Sequence, residues 1–238
     1  MNKIDGKKLI EYLETYFNKN IKLVTIKDLS TITAIPIQGI KDENNEYAIT
    51  IEEALNIFPN LKALMITNLI ISQDIVDYLQ LRSIHNVTLT RCTIPVGLSF
   101  DLSLTELSII NCTTEDYKFL ETLANTLLKL EIINPKDETE FDSSILKKHS
   151  LLRKVTLIRC ILTNDFELAT LINCDTLSLL WTDLTNNGIQ AIKELPLLKR
   201  LYISEKYNDK LNDITKSIDI KNDLIEFGFD KEEPSKKL

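Results

Sequence analysis

The chain has 238 residues, enough for one large domain, with 44% hydrophobic and 26% charged residues. Its net charge of −7 and its pI near 5.0 argue against nucleic acid and anionic membranes as partners, because both require clustered lysines and arginines. The first residues carry charges throughout and no apolar run approaches ~18 residues, so neither a secretory signal nor a membrane span is predicted. We therefore expect a cytoplasmic protein, with export by a signal-independent route as the alternative.

The chain begins with an amphipathic stretch and continues with a repeat. Residues 4–18 predict a helix with Leu9 and Leu13 available for packing, and we expect residues 1–28 to form an N-terminal helical cap. After this segment the pattern L-x-x-L-x-L-x-x-C recurs every 20 to 26 residues, which is typical of a solenoid. Its copies are residues 61–69, 84–92, 104–112, 127–135, 152–160, 174–182 and 198–206, with an early copy at 32–40 and a partial one at 224–230.

Each copy predicts a short strand followed by a helical segment. Apolar residues at the fourth and sixth positions of the copy lie on one face of the strand. The segments that follow are helix-periodic, and Thr or Ser residues ahead of them can serve as N-caps. The residues expected to face the core are Tyr117, Leu120 and Leu123 or Ala124 in one segment, Phe166, Ala169 or Thr170, and Leu171 in the next, and Ile189, Ile192 and Leu195 in a third. One such unit cannot bury its own apolar face, so the units must stack.

The repeat resembles the leucine-rich repeat family over residues 29–230. The copy that reads DLTNNGIQAIKELPLLKRLYIS is most like the family's unit, and residues 27–68 are similar to the entry repeats of bacterial internalin-like proteins. The ninth position, often Asn in the family, is Cys in three copies and varies elsewhere. The resemblance implies an α/β solenoid, a curved horseshoe with a parallel sheet on its concave face and helices on its convex face. Residues 231–238 are then a polar C-terminal tail.

The cysteines are the candidate nucleophiles of this sequence. Cys92, Cys112 and Cys160 occupy the same inward repeat position, so a structural ladder explains all three, whereas catalysis would explain at most one. His85 and His149 belong to no recognisable catalytic or metal-binding motif. We therefore expect no catalytic residue, no metal site and no cofactor. A thiol-dependent enzyme is the alternative from another functional class.

Positions three, five and seven of the copies point away from the core and form three columns across the concave sheet. Column seven contains four consecutive apolar residues, and strands ~4.8 Å apart would make them a stripe about 15 Å long. Exposed apolar surface of this kind marks a contact site. The predicted site residues are Ile110, Ile133, Ile158, Leu180, Trp181 and Tyr202. The alternative is that the strand-to-helix loops fold over the stripe and bury it.

These features predict a non-enzymatic module that binds a protein partner on the concave face. We expect a monomer that contacts neither nucleic acid nor membrane, and the identity of the partner stays open. A secreted or translocated effector acting on host proteins would use the same binding mode in another setting. Rigid docking with apolar anchors is the expected mechanism.

Overall fold

The structure is a computed structural model that describes residues 33–38, 56, 58–134, 139–214 and 218–222. Its main element is a sheet of nine parallel strands within these residues, and the strand order follows the chain. The strands of this sheet are β1 (Ala34–Gln38), β2 (Ala63–Thr67), β3 (Asn86–Thr90), β5 (Glu106–Ile110), β7 (Lys129–Ile133), β9 (Lys154–Ile158), β11 (Thr176–Leu179), β12 (Arg200–Ile203) and β13 (Asp219–Lys221). Two further parallel pairs join β4 (Thr93–Ile94) to β6 (Thr113–Thr114) and β8 (Thr139–Asp142) to β10 (Cys160–Thr163).

Within the described residues the strands lie where the repeat predicts them, at positions three to seven of each copy, except that β11 and β12 end at position six. The pairing is also in repeat register, so that Ala63 pairs with Asn86 and Asn86 pairs with Glu106. The fourth and sixth positions, such as Leu64 and Ile66 in β2, are buried in one apolar core. The predicted α/β solenoid with a long parallel sheet is confirmed.

The segments between the strands are shorter and tighter than the sequence predicts. The α-helices that lie wholly within the described residues are α1 (Gln73–Leu81), α2 (Asn186–Lys193) and α3 (Asn208–Leu211), and 3₁₀ helices there span Lys118–Thr122, Ser143–Lys148, Asp165–Thr170 and Glu205–Tyr207. The inward positions of α2 are as predicted, and Thr185 caps this helix. The inward position of Phe166 is wrong, since this side chain is 50% exposed. The 3₁₀ helix has three residues per turn, and it therefore turns Asp165 and Leu168 inward instead.

The ninth position of the repeat links each coil to its neighbour. The Cys112 thiol accepts the backbone N–H of Cys92 at 3.3 Å and donates to the carbonyl of Leu89 at 3.4 Å. Thr182 links another pair of neighbouring coils in the same way. Its hydroxyl accepts a hydrogen bond from the backbone N–H of Cys160 and donates one to the carbonyl of Leu157. A small donor–acceptor side chain is what this position requires, so Cys and Thr can both occupy it. The predicted structural ladder of buried cysteines is confirmed.

Three sequence-based predictions fall on residues that the structure does not describe. These are the helical cap at 1–28, the partial copy at 224–230 and the polar tail at 231–238. The last strand described, β13, precedes that partial copy and was not predicted. It pairs with β12 in parallel and extends the sheet beyond the 198–206 copy.

Candidate functional site

The concave face is the sheet face that carries positions three, five and seven of the repeat. Backbone pairing aligns these positions from strand to strand, so Thr67, Thr90, Ile110, Ile133 and Ile158 form one continuous row. This row is the predicted column seven, and it lies next to column five, which runs from Met65 in β2 to Tyr202 in β12. The three columns are therefore real features of the sheet.

The exposure predicted for the apolar stripe is wrong for most of its residues. Ile133, Ile158, Leu180 and Tyr202 are buried, and Ile158 has no exposed surface at all. These four form an apolar cluster separate from the main core. Ile110 and Trp181 are half-buried and pack against this cluster, which helps to exclude water from it. The structure thus brings all six predicted site residues together, but as a second small core whose role in binding stays a prediction.

Columns five and seven of the concave face change from accessible to buried along the solenoid, between β2 and β11. In column five, Met65 is 48% exposed and Thr88 is half-buried, whereas Thr156 and Ser178 are completely buried. Column seven follows the same trend from the half-buried Thr67 to the buried Leu180. We call the accessible part over β2, β3 and β5 the open half. Its accessible residues, all at column positions, are Ala63, Met65, Thr67, Asn86, Thr88, Thr90, Glu106 and Ile110.

A charged cluster lies beside the open half. The carboxylate of Glu131 receives the Lys129 ammonium at 2.9 Å, the Lys154 ammonium at 3.6 Å and the hydroxyl of Ser108 at 2.7 Å. Both lysine side chains keep part of their surface in contact with solvent, while the carboxylate is nearly covered. The cluster therefore presents a net positive charge to a bound molecule.

The environment of Glu131 favours its ionised form. Burial alone would raise the pKa of this carboxyl group. The hydrogen bonds from Lys129 and Ser108, and the charges of Lys129 and Lys154, outweigh burial and lower the pKa below its ordinary value. The cluster is consequently a fixed ion pair network rather than a proton donor at neutral pH.

The four cysteines are unpaired and buried. Burial raises the pKa of Cys160 and of Cys174 to about 12, which leaves both as thiols. The Cys112 side chain lowers the pKa of the Cys92 thiol, and the Cys92 side chain together with burial raises the pKa of the Cys112 thiol. Cys92 is only 1% exposed, so its sulfur does not face a surface where a substrate could bind.

The two histidines lie apart from the concave columns. His85 is exposed next to the start of β3. His149 is buried, its Nε2 lies 3.0 Å from the carbonyl of Leu120, and desolvation lowers its pKa. In the described part of the chain, no three His, Cys, Asp or Glu side chains come together in a way that could hold a metal ion. None of the helices in that part has both the length and the apolar character needed to cross a membrane.

Two solved structures are similar to this chain in fold. One is an internalin (InlF) from Listeria monocytogenes str. 4b F2365, with 16% sequence identity and a TM-score of 0.49. The match spans 90% of this chain and 81% of the internalin chain. The other is internalin C2 (InlC2) from the same strain, 16% identical with a TM-score of 0.48, covering 83% of this chain and 92% of its own. No protein-family model and no curated protein matches the sequence. The in-register repeat and the parallel sheet define the chain as a leucine-rich-repeat solenoid.

Sequence reasoning missed the open half as the accessible part of the face. Met65 and Thr88 occupy position five of their copies, but the apolar run in column seven is the stronger signal in the sequence. Glu131 was also overlooked, although it lies in column five beside Lys129 and Lys154 of the adjacent column three, which predicts ion pairs. Opposite charges in neighbouring columns were the signal that could have found it.

Proposed function

We propose that the chain is a non-enzymatic protein-binding module that docks a protein partner on the open half of its concave face. The observation that carries this proposal is the accessibility of β2, β3 and β5 on that face. Parallel sheets are normally covered on both faces, and an uncovered face in a rigid repeat is free for recognition. Burial of all four thiols supports a binding role over a thiol-dependent reaction.

The chemistry of the open half suits a mixed apolar and polar contact. Met65 offers a flexible, polarizable side chain, and Ile110 offers a half-buried apolar surface. Thr67, Thr88 and Thr90 surround them with hydroxyl groups. Partner binding would bury this surface against a scaffold that is already ordered, which reduces the entropic cost of docking.

The test combines site-specific cross-linking with a matched pair of substitutions. A photo-reactive benzoylphenylalanine placed at Thr90 should cross-link a specific protein in a lysate of the source cells, whereas the same group at Asp77 on α1 should not. Met65→Glu should abolish this cross-link without changing the melting temperature, because Met65 is exposed. Leu81→Glu is the control, since Leu81 is even more exposed but lies at the end of α1.

Two results would overturn the proposal. One is equal cross-linking from Thr90 and Asp77, which would indicate non-specific association. The other is retention of the Thr90 cross-link in Met65→Glu together with its loss in Leu81→Glu, which would place the contact on the helical side.

A further inference from the structure

A groove runs along the edge of the solenoid where the chain enters β7, β9, β11 and β12. It has a volume of about 330 Å³ and lies outside the concave columns. We call it the edge groove and define it by Leu128, Leu151, Arg153, Asp175, Leu197 and Lys199. Its three leucines are 38%, 45% and 51% exposed. Large apolar side chains repeated along one edge are unusual for surface that stays in water.

The backbone holds one side of the edge groove rigidly. The carbonyl of Leu128 accepts the N–H of Arg153 at 2.9 Å, that of Arg153 accepts Asp175 at 2.9 Å, and that of Asp175 accepts Lys199 at 2.9 Å. Residues at this repeat position therefore form a ladder with the spacing of the sheet, ~4.8 Å per step. A surface with fixed spacing is preorganised for a ligand of matching period.

The charges along this ladder alternate. The ladder carries a positive, a negative and a positive charge in turn, on Arg153, Asp175 and Lys199. Within the described residues none of these three side chains forms an ion pair. The Asp175 carboxylate accepts a hydrogen bond from the neighbouring hydroxyl of Thr176 at 2.7 Å. A complementary ligand must offer a negative, a positive and a negative group about 4.8 and 9.6 Å apart. It must also bring apolar side chains to the leucines.

We propose that the edge groove binds an amphipathic helix of a partner protein that carries acidic, basic and acidic residues at positions i, i+3 and i+7. These positions lie about 4.5 and 10.5 Å apart along a helix axis, close to the period of the ladder. An extended peptide fits less well, because its side chains on one face repeat every ~6.6 Å. An apolar residue at i+4 of the helix would contact the leucines. The groove spans about 14 Å, which is about ten helical residues. This inference is independent of docking on the open half.

The test uses two synthetic helical peptides of about 14 residues, measured by fluorescence anisotropy with the full chain. The first peptide carries Glu, Lys, Leu and Glu at i, i+3, i+4 and i+7, and the second has every charge reversed. We expect the first peptide to bind at least about tenfold more tightly. Combined Arg153→Glu, Asp175→Lys and Lys199→Glu substitutions should invert this preference. Leu151→Ser should weaken binding of the first peptide to the wild-type chain and of the second peptide to the charge-reversed variant. Ile161→Ser, at a similarly exposed site elsewhere, should weaken neither complex.

Three results would overturn the proposal. The first is that both peptides bind with equal affinity, or that neither binds with a dissociation constant below ~1 mM. The second is an unchanged preference in the charge-reversed variant despite a normal melting curve. The third is self-association of the wild-type chain in analytical ultracentrifugation that the charge reversal abolishes, because the occupant would then be a second copy. The Met65→Glu variant should bind the first peptide normally, so failure of the edge groove and failure of the open half are distinguishable.

Discussion

Thr156 and Ser108 lie in the same column of the concave face, yet only one of their hydroxyl groups has a partner. The Thr156 hydroxyl is buried without a hydrogen bond, whereas that of Ser108 donates to Glu131. Thr156→Val should therefore raise the free energy of unfolding by about 1 kcal/mol, because it removes an unsatisfied polar group at nearly constant volume. Ser108→Ala should lower it by a similar amount. Urea denaturation measures both, and a loss of stability in Thr156→Val would contradict the buried, unpartnered position.

Glu131 should make stability depend on pH. Its pKa in the folded chain lies below the ordinary value of 4.5, so its ion pairs stabilise the fold at neutral pH. This stabilisation is lost as the pH falls below about 4.5 and through the folded pKa, where the folded carboxylate takes up a proton. Glu131→Gln should cost about 1–3 kcal/mol at pH 7 and progressively less below pH 4. Denaturation from pH 3 to pH 7 tests this, and a constant difference across that range would count against the network.

At the scale of elements, the N-terminus of α2 depends on one close contact. Asp165 accepts the N–H and the hydroxyl of Thr185 at 2.6 and 2.8 Å, and Thr185 accepts the N–H of Gly188 at 3.2 Å. A Cβ atom on Gly188 would lie 2.2 Å from the Asp165 carboxylate. Gly188→Ala should therefore destabilise the chain by about 2 kcal/mol, although Gly→Ala within a helix usually stabilises. Gln190→Ala in the exposed part of α2 is the control, and stabilisation by Gly188→Ala would show that Asp165 is placed differently.

The apolar cluster on the concave face behaves as a core element. Ile158 is completely buried in it, so Ile158→Ala should lower the free energy of unfolding by about 2–5 kcal/mol. Ile161→Ala, three residues later on an exposed position of β10, should cost under ~0.5 kcal/mol. Thermal melting of the two variants compares them directly. Similar melting temperatures would indicate that Ile158 is exposed, as the sequence predicts, and not buried in this cluster.

Strands were more predictable than the segments between them. The register of β2 and β3 follows from a strict alternation of side chains, because a shift by one residue would expose the apolar positions. The Asp165–Thr170 segment was harder, since the helical periods of 3.6 and 3.0 differ by only ~0.6 residue per turn and this segment is six residues long. The short strands β4 and β6 carry only two residues each, too few to show a pattern.

At the scale of the whole molecule, the sequence predicts which residues share a face but not how deeply that face is buried. The columns were placed correctly because they depend on local backbone geometry and repeat length. The burial of Ile158 and Tyr202 depends on packing between side chains of several repeats, which spacing alone does not encode. The result is a solenoid whose concave face has an open half near β2 and a closed half near β11.

Hydroxyl-radical footprinting by mass spectrometry tests this division and the proposed docking most directly, first on the free chain and then on its complex with the cross-linked partner. The account predicts fast modification of Met65 in the free chain and slow modification of Tyr202 and Leu180, relative to their intrinsic reactivities. It also predicts that the partner protects Met65 and leaves the exposed Leu81 unchanged. Fast modification of Tyr202 and Leu180 in the free chain, or an unprotected Met65 in the complex, would contradict it.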